Sequence, residues 1–90
     1  MAASPAVWFV YLVRCRDGSL YCGIAKDLTR RVEEHNSSDK GAKYTRGRRP
    51  VRLVHAEEVA SRAQATQREG WIKRLNRAQK MMLIQNGITR

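Results

Sequence analysis

Trp8-Phe9-Val10-Tyr11-Leu12-Val13-Arg14-Cys15-Arg16-Asp17-Gly18-Ser19-Leu20-Tyr21-Cys22-Gly23-Ile24 is the stretch on which the fold of this chain turns. Trp8 to Cys15 is rich in aromatic and β-branched residues and predicts a strand. Asp17-Gly18 is a hairpin signal, and Leu20 to Ile24 predicts the returning strand. Gly23 is unfavourable inside a strand, having no side chain to pack, so close approach of another group is expected there. The hairpin loop decides where two tyrosines lie. A two-residue Asp17-Gly18 turn pairs Arg16 with Ser19 and sets Tyr11 and Tyr21 on opposite faces. A three-residue Arg16-Asp17-Gly18 loop, with Gly18 left-handed, sets them on the same face.

Beyond the hairpin, Asp27 is placed to cap a helix from Leu28 to about His35. A polar, glycine-containing loop is expected from Asn36 to Pro50, then a third strand over Val51–Ala56. Ser61 with Gln64 is a capping-box pattern opening a second helix that runs to about Leu75. Asn76 with Gln79 repeats the signal for a third helix, closed near Asn86-Gly87. The order β-β-α-β-α-α predicts an α+β fold, a small, mainly antiparallel three-stranded sheet flanked by helices. The 90 residues suit one domain, with its core over about 8–86 and no internal repeat.

Lysine and arginine number 18 against 8 acidic residues, a formal charge of +10. Such charge on so small a domain points to a polyanionic partner, nucleic acid first. A solvated basic surface without a dedicated partner is the plain alternative. No segment reads as a basic amphipathic helix for a membrane surface, and no apolar run approaches membrane-spanning length. The two cysteines, Cys15 and Cys22, are too few for a structural zinc site and fit a reduced, intracellular protein. Met1 to Val7 carries no basic side chain, so no signal peptide is expected, and the localisation expected is cytoplasmic.

Some residues fit a purely structural account poorly. Leu28, Arg31, Val32 and His35 share one face of the first helix, so two groups that bind phosphate or move protons stand on its inward stripe. On a structural reading both snorkel to the core edge. Glu69 lies about 40° from Ala65, at the border of the apolar side of the second helix. It is either an exposed salt-bridge partner or a carboxylate aimed into a cleft. Lys40, Lys43, Arg46, Arg48 and Arg49 follow one another without an intervening acid, as in a mobile clamp on phosphates. Tyr44 among them is placed to stack on an exposed base.

Val10-Tyr11, a hairpin, Tyr21-Cys22-Gly23 and a helix carrying Arg31 together resemble the GIY-YIG nuclease domain. The first triplet is Phe9-Val10-Tyr11, with Phe9 in place of its glycine; the second is Tyr21-Cys22-Gly23. His35 falls where that family has a histidine or tyrosine, and Glu69 where it has a metal-binding glutamate. Gly41 to Val51 is similar to the small single-domain branch. The asparagine that many members carry near the end of the domain has no clean counterpart; Asn76 and Lys80 lie nearby.

The resemblance implies an endonuclease that hydrolyses phosphodiester bonds in DNA, with a structure-specific role in repair or recombination as one form and RNA kept open. It implies one Mg2+ or Mn2+ held by Glu69 and water. Tyr11 is implied to activate the attacking water, Tyr21 to orient water or phosphate, and Arg31 to bind phosphate oxygens in a fork. His35 is implied to assist proton transfer or orient the phosphate. Gly23 and Lys26 are grouped with the basic loop as nucleic-acid contacts. A protein partner supplying specificity is a further expectation. Two other readings stand beside this one: an inactive nucleic-acid-binding module and a basic RNA-associated structural protein.

Overall fold

The computed structural model describes residues 7–37 and 40–88, with only the backbone of 87 and 88. Met1 to Ala6, part of the segment read for a leader, lie outside the described residues. Three antiparallel strands form one sheet: β1 (Trp8–Arg14), β2 (Leu20–Ala25) and β3 (Arg52–Val59), in the order β2-β1-β3. The helices are α1 (Leu28–Ser37), α2 (Lys43–Arg46), α3 (Arg62–Lys73) and α4 (Arg77–Ile88).

β1 is central, which is why its sequence is apolar on both faces. Val10 and Leu12 join Cys22, Ala65, Ile72 and Ile84 in a core between the sheet and helices α3 and α4. Tyr11 and Val13 face the other way and pack with Cys15, Ala25, Val51, Leu28 and Val32, beneath α1. Leu12 and Ile72 are fully buried, and each such burial contributes about 2 kcal/mol. The cysteines belong to different faces of the sheet and are free.

The hairpin takes the three-residue form. Cys15 and Ser19 close it through Cys15 N–H to Ser19 O at 2.8 Å, and Gly18 has φ +86°. Asp17 Oδ1 accepts from Ser19 N–H at 3.0 Å and ties the turn. Tyr11 then pairs with Gly23 and Val13 with Tyr21, so both tyrosines occupy the α1 face.

The caps act as their spacing predicts. Asp27 Oδ1 accepts from Arg30 N–H at 3.0 Å, and Ser61 Oγ accepts from Gln64 N–H at 3.1 Å. Asn76 and Gln79 satisfy each other's backbone N–H, at 2.8 and 2.9 Å.

Several boundaries differ from the sequence expectation. α3 stops at Lys73 rather than Leu75, α4 runs through Gly87 to Ile88, and β3 extends to Val59. A bulge puts Leu12 opposite His55 but Val13 opposite Leu53, leaving an extra residue, Val54, in β3. The expected loop from Asn36 to Pro50 is partly helical, since α1 continues to Ser37 and α2 forms one turn. That turn is anchored locally: Thr45 N–H donates to the Ala42 carbonyl at 3.0 Å, and Thr45 Oγ1 lies 2.9 Å from the same oxygen. Asn36 holds the end of the segment like a strand partner. It donates to Val51 O at 3.0 Å and accepts from Val51 N–H at 2.6 Å.

Candidate active site

Tyr11 comes from the central strand, and its ring crosses Gly23 on β2. A Cβ on Gly23 would stand 2.5 Å from the Tyr11 hydroxyl and 2.7 Å from Cζ, which explains a glycine in mid-strand. Tyr11 is 1% exposed and cannot swing aside. Gly23→Ala is therefore expected to push the ring off its partners and cost about 1–3 kcal/mol. A urea denaturation midpoint equal to that of the parent chain would show that the ring can yield.

The principal partner of Tyr11 is His35, delivered from α1. The phenol oxygen is 2.8 Å from His35 Nε2, and His35 Nδ1 is 2.9 Å from Thr45 Oγ1. The imidazole meets the edges of both Tyr11 and Tyr21, at ring-centroid distances of 5.9 and 5.4 Å. Tyr21 stacks in turn on Tyr44, which also carries the Arg48 guanidinium 4.1 Å from its ring centroid. Two tyrosines, a histidine and a threonine thus converge from β1, β2, α1 and α2.

Burial sets the protonation states. Burial lowers the His35 pKa to about 4, and the Arg31 charge works in the same direction, so the ring is neutral at pH 7. Burial raises the Tyr11 pKa to about 12, against hydrogen bonding and charge from Arg31. Tyr11 is therefore a phenol at neutral pH.

The His35 shift has a consequence for stability. Unfolded, the histidine titrates near 6.5; folded, near 4. Between those values the unfolded chain binds a proton that the folded chain refuses, so stability present above pH 6.5 is lost as pH falls. The whole window amounts to about 3 kcal/mol. Urea midpoints from pH 7.5 to 5 should fall steadily, and His35→Gln should flatten that fall. An equal fall in the variant would assign the pH dependence elsewhere.

Arg31 is half-buried at the edge of this cluster. Its Nη1 donates to Glu34 Oε1 at 2.9 Å and to the Lys40 carbonyl at 2.8 Å. Beside it opens a groove of about 260 Å³ lined by Lys26, Asp27, Arg30, Arg31 and Glu34. Lys26 is exposed, with its ammonium 5.4 Å from the Trp8 ring centroid.

The basic segment divides in two. Lys40, Lys43 and Arg46 are exposed. Arg48 instead donates to Asp17 Oδ2 at 3.1 Å and to the Tyr44 carbonyl at 2.7 Å, and Arg49 donates to the His35 carbonyl. Arg16 N–H donates to the Arg48 carbonyl at 2.9 Å, so this part of the expected mobile clamp is folded against the hairpin and α1.

Glu69 stands apart from the tyrosines. Its helix packs Ala65 and Ile72 into the core on the opposite face of the sheet. Its carboxylate pairs with Lys73 at 3.4 Å. It lies close enough to Cys22 to reinforce the effect of burial, which pushes that thiol up to about 12. Among the described residues no hydrogen bond or ion pair joins Glu69 to Tyr11, Tyr21, Arg31 or His35. Cys22 and Gly23 are consecutive on β2, an edge strand, so Glu69 and Tyr11 approach that edge from its two sides. Of the residues near the expected terminal asparagine, Asn76 is occupied in capping α4, and Lys80 contributes charge near Cys22.

Sequence reasoning passed over Thr45, which has no signal of its own in a basic loop. It also passed over the bridge from β3 to α3, in which Glu57 accepts from Arg68 at 2.7 and 3.0 Å and is 2.8 Å from His55 Nε2. That bridge borders a larger cavity, about 700 Å³, that holds none of the expected site residues.

An antiparallel sheet whose two facing tyrosines meet an arginine and a histidine from the next helix defines a class of catalytic domain. The model of the GIY-YIG catalytic domain matches residues 7–82, and the chain belongs to the GIY-YIG family. Within it, the chain is 53% identical over 77 residues to a UPF0213 protein of Desulfotalea psychrophila, covering 86% of this chain and 70% of that one. The solution NMR structure of the UPF0213 protein of Bacillus halodurans matches with a TM-score of 0.56 at 43% identity, over 88% of this chain and 83% of that one. The solution NMR structure of a protein from E. faecalis matches with a TM-score of 0.63 at 37% identity, over 93% of this chain and 88% of that one. No helix among the described residues is long and apolar enough to cross a membrane.

Proposed function

We propose that this chain is an endonuclease that hydrolyses phosphodiester bonds in DNA with the help of one hydrated Mg2+ or Mn2+. The observation that carries the reading is Tyr11, held 2.8 Å from a buried neutral His35 with Arg31 beside it. A phosphodiester resists hydrolysis, so a water must lose a proton while charge gathers on the phosphate oxygens. Arg31, at the edge of a groove it shares with Lys26 and Arg30, offers guanidinium protons to those oxygens. Tyr11, next to Arg31, is the proton carrier in this reading; Tyr21, packed against His35, keeps the tyrosine face closed.

The donor set suits a hard cation that keeps most of its water. Among the described residues no group of three or more histidine, cysteine, aspartate or glutamate side chains gathers, and Glu69 is a single, partly exposed carboxylate. Glu69 would hold the ion at the β2 edge, and the ion would supply Lewis-acid charge neutralisation at the phosphate. Lys40, Lys43 and Arg46 are the expected phosphate contacts, with Arg48 and Arg49 shaping the surface that carries them. A base stacking on Tyr44 would compete with Arg48 for the ring.

The substrate form we favour is structure-specific, a branched or damaged DNA met in repair or recombination, with a protein partner adding specificity. The test is metal-dependent cleavage of labelled flap, fork, single-stranded and duplex DNAs, with an RNA of the same sequence beside them. Cleavage that needs Mg2+ or Mn2+ supports the reading, and the preferred form names the substrate. Salt-sensitive binding without cleavage of any form would replace it with a binding module.

A further inference from the structure

The hydrogen bonds around His35 decide which ring nitrogen carries its proton, and the deciding group is a backbone amide. Ala42 N–H lies 3.4 Å from His35 Nδ1 and has no other acceptor among the described residues. An amide proton cannot turn away. A proton on Nδ1 would set two N–H groups against each other and strand a partly buried amide. Thr45 Oγ1, 2.9 Å from the same nitrogen, can turn. It reaches the Ala42 carbonyl as well, but that oxygen already accepts Thr45 N–H at 3.0 Å. That oxygen stays paired when the hydroxyl turns, so the Thr45 proton can serve Nδ1.

We propose that the Ala42 amide and the Thr45 hydroxyl lock His35 with its proton on Nε2, making Thr45 a positioning residue for Tyr11. The catalytic part of this inference rests on the nuclease reading above; the lock itself does not. Nε2–H then donates to the phenol oxygen at 2.8 Å. It follows that His35 does not receive the Tyr11 proton, because the nitrogen facing Tyr11 has no lone pair to offer. His35 is also fully buried and cannot touch a phosphate. Its part is to hold the oxygen of Tyr11 in place and to favour the phenolate. Tyr11 passes its proton to a water on its Arg31 side, not to His35, and the phenolate then takes one proton from the attacking water. This arrangement involves three elements, β1, α1 and α2 with its cap, and an Nε2–H that is shut away from solvent.

The experiment is a long-range 1H–15N spectrum of the full, 15N-labelled chain at pH 7, which distinguishes a protonated from an unprotonated ring nitrogen without any substrate. His35 should show unprotonated Nδ1 and protonated Nε2, and Thr45→Ser should preserve that pattern. The reverse pattern in the parent chain would overturn the lock. Thr45→Val, which keeps the shape but removes one donor, should shift the Nδ1 signal while the Ala42 amide keeps the proton on Nε2. Its cleavage rate should fall about tenfold with KM unchanged, and Thr45→Ser should restore it. A Val variant with a parent-like Nδ1 shift and a parent-like rate would remove Thr45 from the lock. If the parent chain cleaves no nucleic acid, the nuclease reading fails while the spectrum still decides the tautomer.

Discussion

Glu69→Ala is expected to lower DNA cleavage by about 1000-fold or more while leaving DNA binding within about threefold of the parent chain. The two effects separate because the carboxylate contributes little to either folding or phosphate binding. Its ion pair with Lys73 is a partly exposed i,i+4 contact at 3.4 Å, of a kind worth about 0.3–0.5 kcal/mol. Removing a negative charge from a chain of formal charge +10 does not weaken its hold on a polyanion. A variant that binds DNA with the parent salt dependence, melts at the parent temperature and no longer cleaves would isolate Glu69 as the ion's ligand. Retained metal-dependent turnover would sink that assignment and leave the Tyr11–Arg31 cluster to act with an ion held elsewhere.

Gly41→Ala is expected to destabilise the fold by about 2 kcal/mol or more and lower Tm by about 10 °C or more. A Cβ at this position would stand 2.7 Å from the Glu34 carbonyl oxygen and 2.8 Å from His35 Cα. Both are backbone atoms of α1, so no rotamer change relieves the clash, and the segment leading into α2 must lift. Lifting it draws away the two groups around His35 Nδ1 and also the Lys40 carbonyl that receives Arg31. The effect therefore reaches the site as well as the stability. Gly47 is the control: a Cβ there meets nothing within 4 Å, and its φ of −88° suits any residue. Gly47→Ala should be neutral or stabilising by about 0.5 kcal/mol. Thermal melts of the two variants side by side would show whether the difference is the α1 contact or glycine content alone; equal Tm values would overturn the contact account.

The strands, the helices and their caps were legible in the sequence because each is decided by atoms a few residues apart. Asp27, Ser61 and Asn76 cap the helices that their spacing announces. The apolar run of β1 and the need for a close contact at Gly23 were legible for the same reason. The boundaries drifted where tertiary packing extends an element, as in β3 beyond Ala56, or where a single helical turn hides in a basic loop, as in α2.

The site was half legible. Local pattern put Arg31 and His35 on one helical stripe and left Tyr21 with two possible faces. Only the register of β1 with β2 set both tyrosines under α1. Sequence alone also determined the charge, the residue types of the candidate site and the family motif they compose. Tertiary structure decided the rest: that His35 is sealed and neutral, that Thr45 is its partner, that Arg48 and Arg49 turn to protein oxygens, and that Glu69 approaches from the far face of the sheet. The physical reason is the distance along the chain. A cap or a turn is closed by near neighbours, whereas burial, tautomer and facing depend on groups 10 to 31 residues away, such as Thr45 for His35 and Asp17 for Arg48.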